Sequence, residues 1–492
     1  MPIQNPSRGE AAASAATDIV VAIPAHLKPL VAPIQKLLRA VEKQMAQLCR
    51  DGGAVDYGEI ERLYGEQIAA VESAAHECTL AALATDAVRI EVHGHAYVRV
   101  AEGNGTYYTM TGPVEIRRGL YRKVGEHNGK VIDVIALRAG AVGDGWLPRT
   151  AAAMAHYHQL STSREAQKAA QQTSRLPYSR ASFERVPHEV GALWLEHHAD
   201  IEDQLIQDFV IPDEAASISV AIDRVSVPME EVVPRPPGRP RKDAPKRSVA
   251  RNYRMAYCGT VTVHDGESHA LHTIRRGQMP NCDPQDLCNM LANDVQKLKD
   301  KRSDFKITLL ADGAPEMWNL LESNFPASVF GPVHRCVDFW HLIEKLTAAA
   351  KVICKDGAAA KAMVWRWRQL LRKRSDAAES IRVEIAASGF ETIAVDDGKC
   401  PVHDAITYLV NHAERMNYAG AIKKGLPIGS GNVEATCKTL VGLRMKRCGA
   451  RWHTETGNHV MHLRALALSD RWDAAMVKLF ATQRTSVRSR AA

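Results

Sequence analysis

Apolar residues recur every three or four positions at Leu30, Ile34, Leu37, Leu38, Val41, Met45 and Leu48, which predicts an amphipathic helix ended by Asp51-Gly-Gly53. Ile60, Leu63, Ile68 and Val71 predict a second helix over 57–84. Residues 21–86 therefore read as a helical hairpin, with a coiled-coil-like self-association arm as the alternative. The first 20 residues are rich in Ala and Ser and are expected to be disordered. Between 87 and 146 the period changes. The runs VRIEVHG, HAYVRV, TYYTMTGPVEIRRGLYRKV and KVIDVIAL, separated by Gly/Asn turns, predict a small antiparallel β domain. Residues 147–212 return to helical patterning. Short helices with Arg175, Arg180 and Arg185 near their starts fit a helix-turn-helix-like DNA-binding region, and equally an ordinary bundle.

A different pattern begins at 213. Ser217–Val227 is a β-branched strand, followed by a Pro-rich stretch that excludes a helix or a central strand. Then come the strands RMAYCGTVTVHD and ALHTIR, a helix over 284–299, the strand FKITLLAD and a helix over 315–323. A strand through 328–330 or 336–339 and a helix opening near His341 complete the series. Three β segments followed by alternating helices and strands predict a mixed sheet of the RNase H-like type, antiparallel first and then joined by helical crossovers. We expect this core to comprise 213–341 and 426–470, interrupted by a helical insertion over 342–425 and followed by a basic tail over 471–492. The fold class expected is thus multidomain α+β.

Charge sharpens this picture. The net charge is only +7, but it is concentrated. Residues 438–492 hold eleven Lys/Arg against three Asp/Glu, and residues 233–254 hold eight against one. Two basic blocks on a slightly acidic body suit a polyanionic partner, although two solvated surfaces would look the same. No apolar run approaches the length of a membrane span, and no secretory signal is evident. The ten cysteines are scattered without a framework and read as reduced cytoplasmic thiols. Cys400-Pro-Val-His403 has metal-like spacing but lacks a second half-site.

Three carboxylates stand out by position. Asp223 lies inside an apolar strand, where an acid needs a partner or a task. Asp312 ends a strand ahead of Gly313, at the edge where open α/β sheets place ligands. Glu434 falls in the first turn of a helix announced by Gly429-Ser-Gly431. Each has an ordinary explanation alone, as a turn cap or a dipole complement. Three hard oxygen donors together would suit Mg²⁺ or Mn²⁺, and a pair of such ions supports in-line phosphoryl displacement.

The run Ile428-Gly-Ser-Gly-Asn-Val-Glu-Ala-Thr-Cys-Lys438, continued by Gly442-Leu-Arg-Met-Lys-Arg447 and Gly449-Ala-Arg-Trp452, resembles the C-terminal signature of bacterial insertion-sequence DDE transposases of the ISKra type. Ala311-Asp-Gly-Ala-Pro315 with Trp318 resembles the second-acid motif of that family. Asp338-Phe-Trp-His341 resembles a signature shared with Mutator-like transposases, and Pro236–Lys246 is similar to a linker in relatives. The resemblance covers roughly residues 150–470 and leaves the first 85 unmatched. It implies that Asp223, Asp312 and Glu434 are the metal ligands, with Asp265 in the turn His264-Asp-Gly266 as the rival for the first acid. It also implies that His341 lies near them, unless it is only a satisfied helix-start histidine. The implied activity is phosphodiester hydrolysis at transposon ends and strand transfer into target DNA, with two Mg²⁺ or Mn²⁺ ions. Partners would be double-stranded DNA, in terminal inverted repeats and target, and a second copy of the chain in a dimer or larger assembly. The location would be cytoplasmic and nucleoid-associated, with no membrane.

Arg239, Arg241 and Lys242 form an AT-hook-like core for the minor groove, or a solvated loop. Lys438, Arg444, Lys446, Arg447 and Arg451 are candidates for phosphate contacts. Trp452 is a candidate for stacking on an unpaired base, or a core residue. Two other functions fit the same residues: a structure-directed nuclease without strand transfer, and a transposase-derived DNA-binding regulator that has lost catalysis.

Overall fold

The computed structural model describes residues 21–51, 53–231, 250–354, 356–395 and 398–490. The architecture is mixed α+β with two five-stranded sheets. The chain divides into two compact units, one running to Ile135 and regaining the last residues from Arg488, the other spanning Ala136–Val487.

The first unit opens with the helices α1 (Lys28–Asp51) and α2 (Tyr57–Ala81). Asp56 caps α2 by accepting from the Glu59 N–H at 3.2 Å. α1 is amphipathic as its spacing predicts, yet it leaves Leu38 and Met45 exposed. Strands β1 (Arg89–Val92), β2 (His95–Thr109), β3 (Gly112–Lys123) and β4 (Ile132–Asp133) follow, paired antiparallel in that order. Tyr107, Val114, Ile116 and Tyr121 are buried along the long β2–β3 hairpin, while alternate residues face solvent. The Tyr107 hydroxyl donates to Asp133 at 2.6 Å, which fastens β4.

The second unit begins with α3 (Val134–Ala139), α4 (Pro148–Leu160), α5 (Ser163–Gln172) and α6 (Ser182–Asp208). Its sheet contains β5 (Ala215–Glu231), β6 (Ala250–Asp265) and β7 (Ala270–Gln278), then α7 (Pro284–Lys301), β8 (Lys306–Ala311), α8 (Pro315–Asn324), the short α9 (Ala327–Phe330) and β9 (Val333–Val337). The strand order is β7-β6-β5-β8-β9. β6 runs antiparallel to its neighbours β5 and β7, and β8 and β9 run parallel to β5. β5 is central because Ile218, Val220, Ala221 and Ile222 bury both faces. Of the two positions predicted for the last strand, 328–330 is helical instead. Pro326 sets up that turn and Gly331 ends it at φ +74°, so the strand starts only at Val333.

A helical stretch follows: α10 (Phe339–Ile353), α11 (Gly357–Lys373), α12 (Ala377–Ala387), α13 (Pro401–Asn411) and α14 (Tyr418–Lys423). α15 (Gly431–Thr436) then widens into a π-helical turn over Cys437–Gly442 and closes as α16 (Leu443–Met445). α17 (Thr454–Leu468), α18 (Trp472–Thr482) and β10 (Val487–Arg490) end the chain, so the stretch expected as a tail carries a helix and a strand. β10 joins the first sheet beside β1.

Two buried features hold the second unit together. Arg276 of β7 bonds Asp294 of α7 at 2.7–3.0 Å and also reaches Glu202 of α6, which in turn pairs with Arg471 at 2.6 Å. All four are less than 9% exposed. Paired this way, their charges avoid the cost of isolated burial. The second feature is the contact of α6 with α17. Gly191 permits it, since a Cβ there would lie 3.0 Å from the His459 Cα. Among the described residues, no helix is long and apolar enough to cross a membrane.

Candidate functional site

The parallel register fixes the geometry of the acids. Ala221 of β5 pairs with Leu310 of β8, and Ala311 pairs with Val337 of β9. Two residues beyond Ala221 stands Asp223, level with Asp312, and the residue after Val337 is Asp338. Three aspartates thus leave neighbouring strands at one end of the sheet, where β5 continues past the end of β8. The rival Asp265 pairs with Ala215, eight positions before Asp223 and roughly 26 Å away at about 3.3 Å per residue. It accepts from the Glu267 and His269 N–H groups at 2.8 Å and serves as a turn cap.

Asp338 is fully buried and organises the fourth side of the site. It caps α10 by accepting from the His341 N–H at 2.8 Å. Its other oxygen accepts from both the N–H and the hydroxyl of Ser430, the latter at 2.8 Å. The Phe339 N–H donates to the Ile428 carbonyl at 3.0 Å, which adds a backbone tie between the same two segments. This joins α10 to the start of α15 and brings Glu434 to the sheet end. The His341 Nδ1 lies 3.2 Å from Asp338 and 3.7 Å from the Glu434 carboxylate. Asp338, His341 and Glu434 each offer one ligand atom, and these lie within 4.8 Å of one another.

The electrostatics follow from this crowding. Burial pushes the Asp223 carboxyl up, and the neighbouring charge of Asp312 adds to it. The Arg224 N–H at 2.7 Å and the Cys437 thiol at 3.5 Å both donate to Asp223. Burial would also raise Asp338, but the donors from His341 and Ser430 outweigh it and hold this carboxyl below its usual range. His341 is raised to about 9, first by Asp338 and then by Glu434 and Glu344. Asp312 accepts from the Ala314 N–H at 3.0 Å with one oxygen, and its backbone carbonyl accepts from the Trp318 indole at 2.8 Å.

Asp338 already has its acceptors filled by Ser430 and His341. Among the described residues, the group whose ligand atoms lie close enough together for one cation is nonetheless Asp338, His341 and Glu434, with Asp223 and Asp312 on the adjoining strand ends. The donors are mostly hard oxygens, which fits Mg²⁺ or Mn²⁺ better than zinc.

The candidate DNA contacts divide. Lys438, Lys446 and Arg451 are exposed. Arg447 is ion-paired to Glu165. Arg444 is buried, and its guanidinium donates to the His158 carbonyl at 3.1–3.2 Å, so it packs inside where a phosphate contact was expected. Trp452 is half-buried. Its indole donates to the Met445 carbonyl at 3.0 Å, Arg444 stacks on its ring, and its backbone pairs with the end of β5. It is therefore a structural tie between α16 and β5. Arg239, Arg241 and Lys242 lie outside the described residues. On α6, the exposed charged positions are Glu184, Arg185, Glu196, Asp200 and Asp208, four acids to one base, a balance that does not favour phosphate.

Three residues of this site had no role assigned from the sequence. Asp338 was visible only as part of a motif, and Ser430 only as part of a glycine-flanked turn. The third is Tyr408, which helps line a cleft of about 650 Å³ with Gly313, Trp318, Lys345, His412 and Arg415. Gly313 is needed there, because a Cβ would meet His412 Nε2 at 2.9 Å.

No family model and no curated protein matches the chain. Among solved structures, the chain is similar to a Drosophila P element transposase strand transfer complex over 71% of its own length and 85% of the other chain, at 15% identity and a TM-score of 0.25.

Proposed function

We propose that this protein is a DNA transposase of the DDE class, of the insertion-sequence type its motifs resemble, with an RNase H-like catalytic core. The observation that supports the reading is the register that sets Asp223 and Asp312 level on adjacent parallel strands, with the Cys437 thiol of the helix that carries Glu434 3.5 Å from Asp223 and Glu434 itself beside His341. The sheet order β7-β6-β5-β8-β9, three antiparallel strands followed by two parallel ones, supports the core assignment.

In this reading Asp223, Asp312 and Glu434 hold two Mg²⁺ or Mn²⁺ ions. When bound, these would activate the attacking oxygen and stabilise the leaving one. The protein itself positions the groups. Asp338 fixes His341, and His341 orients Glu434 or a phosphate oxygen. In the first step water adds to phosphorus and the P–O3′ bond breaks, leaving a 3′-hydroxyl and a 5′-phosphate. In the second step that 3′-hydroxyl attacks a target phosphodiester, so one P–O bond forms as another breaks and no energy donor is required. Exposed Lys438, Lys446 and Arg451 on the segment after Glu434 would hold the backbone by phosphate contacts. Two copies of the chain would pair two DNA ends.

The test is incubation of labelled duplex and supercoiled plasmid with Mg²⁺ or Mn²⁺, comparing wild type with Asp312→Asn and Glu434→Gln. The reading expects metal-dependent nicking and joined strand-transfer products, both lost in each variant. Cleavage without joined products would make the protein a nuclease. DNA binding with no cleavage would make it a regulator. Equal activity in all three proteins would remove the site.

A further inference from the structure

Trp340 and Trp365 are 51% and 64% exposed, although large aromatic residues are usually covered. They belong to α10 and α11, which flank a groove of about 450 Å³. Ile343 and Val364 give the groove an apolar lining, and Lys351, Lys361 and Arg368 supply positive charge with no acid among the lining residues. α11 as a whole carries five Lys/Arg and no Asp/Glu. The Arg368 guanidinium lies 4.9 Å from the centre of the Trp340 ring. Trp340 also connects the groove to the acidic cluster. It immediately precedes His341, and a Cβ on Gly429 would fall 3.2 Å from its ring, so it packs against the turn that presents Ser430.

We propose that this groove binds an unpaired nucleotide of single-stranded DNA, its base stacked on Trp365 and its phosphates held by Lys351, Lys361 and Arg368. This rests on the reading of the neighbouring acids as a DNA-cleaving site. An exposed indole beside a groove lined by cations and no acid is what a single strand requires: a π-face for a base and a positive track for the backbone. An apolar peptide would gain nothing from three cations around the groove. A duplex has its base faces already stacked and would gain little from the indole. Trp452, the tryptophan whose sequence position suggested stacking, is committed to the Met445 carbonyl, and α11 offers the open ring instead.

The test is fluorescence-anisotropy titration of the full chain with a labelled oligo-dT strand and with a blunt duplex of equal length, at one fixed salt concentration. Trp365→Ala is expected to weaken oligo-dT binding roughly tenfold, in keeping with the loss of one base–aromatic stack. It should leave duplex binding nearly unchanged, and Trp365→Tyr should restore most of the loss. Unchanged oligo-dT binding in Trp365→Ala, an equal loss on both probes, or no rescue by Tyr would overturn the proposal. A wild type that binds duplex but not oligo-dT overturns the groove assignment alone. A wild type that binds neither overturns the proposed function as well.

Discussion

Ser430 donates both its backbone N–H and its hydroxyl to one carboxylate oxygen of Asp338, across 92 residues of chain. Asp338 is fully buried, so these bonds and those from His341 are what compensate its charge. The same contact sets where α10 and α15 meet, and hence how Glu434 and His341 approach the strand-end aspartates.

Ser430→Ala should therefore act on stability and on the site together. Removing the hydroxyl leaves a buried charged acceptor short of one donor, a cost of about 1–3 kcal/mol. Urea unfolding measures the loss. Metal-dependent DNA cleavage should fall in the same variant while affinity for duplex stays near wild type, because no phosphate contact is removed.

Arg276 should be the most sensitive surface-remote position. Arg276→Met strips the shared partner from Glu202 and Asp294, which are 5% and 1% exposed. Breaking a buried pair from one side costs about 3–5 kcal/mol. The expected result is a large drop in the urea midpoint. A loss under about 1 kcal/mol would show that Arg471 alone satisfies the two acids.

Gly191→Ala should push α17 away from α6. The obstruction includes the His459 backbone, which cannot rotate aside. Overpacking of this kind costs about 1–3 kcal/mol, and the thermal midpoint should fall accordingly.

Acid should weaken the same helix contact. Burial lowers His158 to about 3, with the Arg444 charge adding to it. Burial also lowers His188 to about 4 and His462 to about 3. In the unfolded chain these groups titrate near about 6.5. Below that pH the unfolded state takes up protons that the native state refuses. Stability is therefore full above about pH 6.5 and declines as pH falls toward the native values, with a slope of about 1.4 kcal/mol per pH unit for His158 alone. Urea midpoints at neutral and mildly acidic pH should diverge in wild type and diverge less in His158→Gln, because His188 and His462 still contribute.

Much of the second unit was legible because its signals are local. A β-branched run with buried residues on both faces makes a central strand, and an acid inside that run, Asp223, is conspicuous. Asp312 was legible because a strand stops at it and glycine follows. Asp338 had no assigned role, since its main partner is 92 residues away and no local pattern announces that meeting. The basic C-terminal run shows the opposite limit. Counting charge cannot tell which side chains point outward. Arg444 turns in to the His158 carbonyl while Lys438 and Lys446 stay in solvent, because the π-helical turn at Cys437–Gly442 changes which positions share a face. The inward turn of Trp452 has the same origin in tertiary pairing, here with the end of β5.

The central claim is that Asp223, Asp312 and Glu434 form one cation site. Anomalous diffraction from crystals soaked in Mn²⁺ tests it most directly. The account predicts density within bonding distance of carboxylate oxygens from all three residues, lost in Glu434→Gln. Density absent from this position, or bound without Asp223 and Asp312, would contradict it.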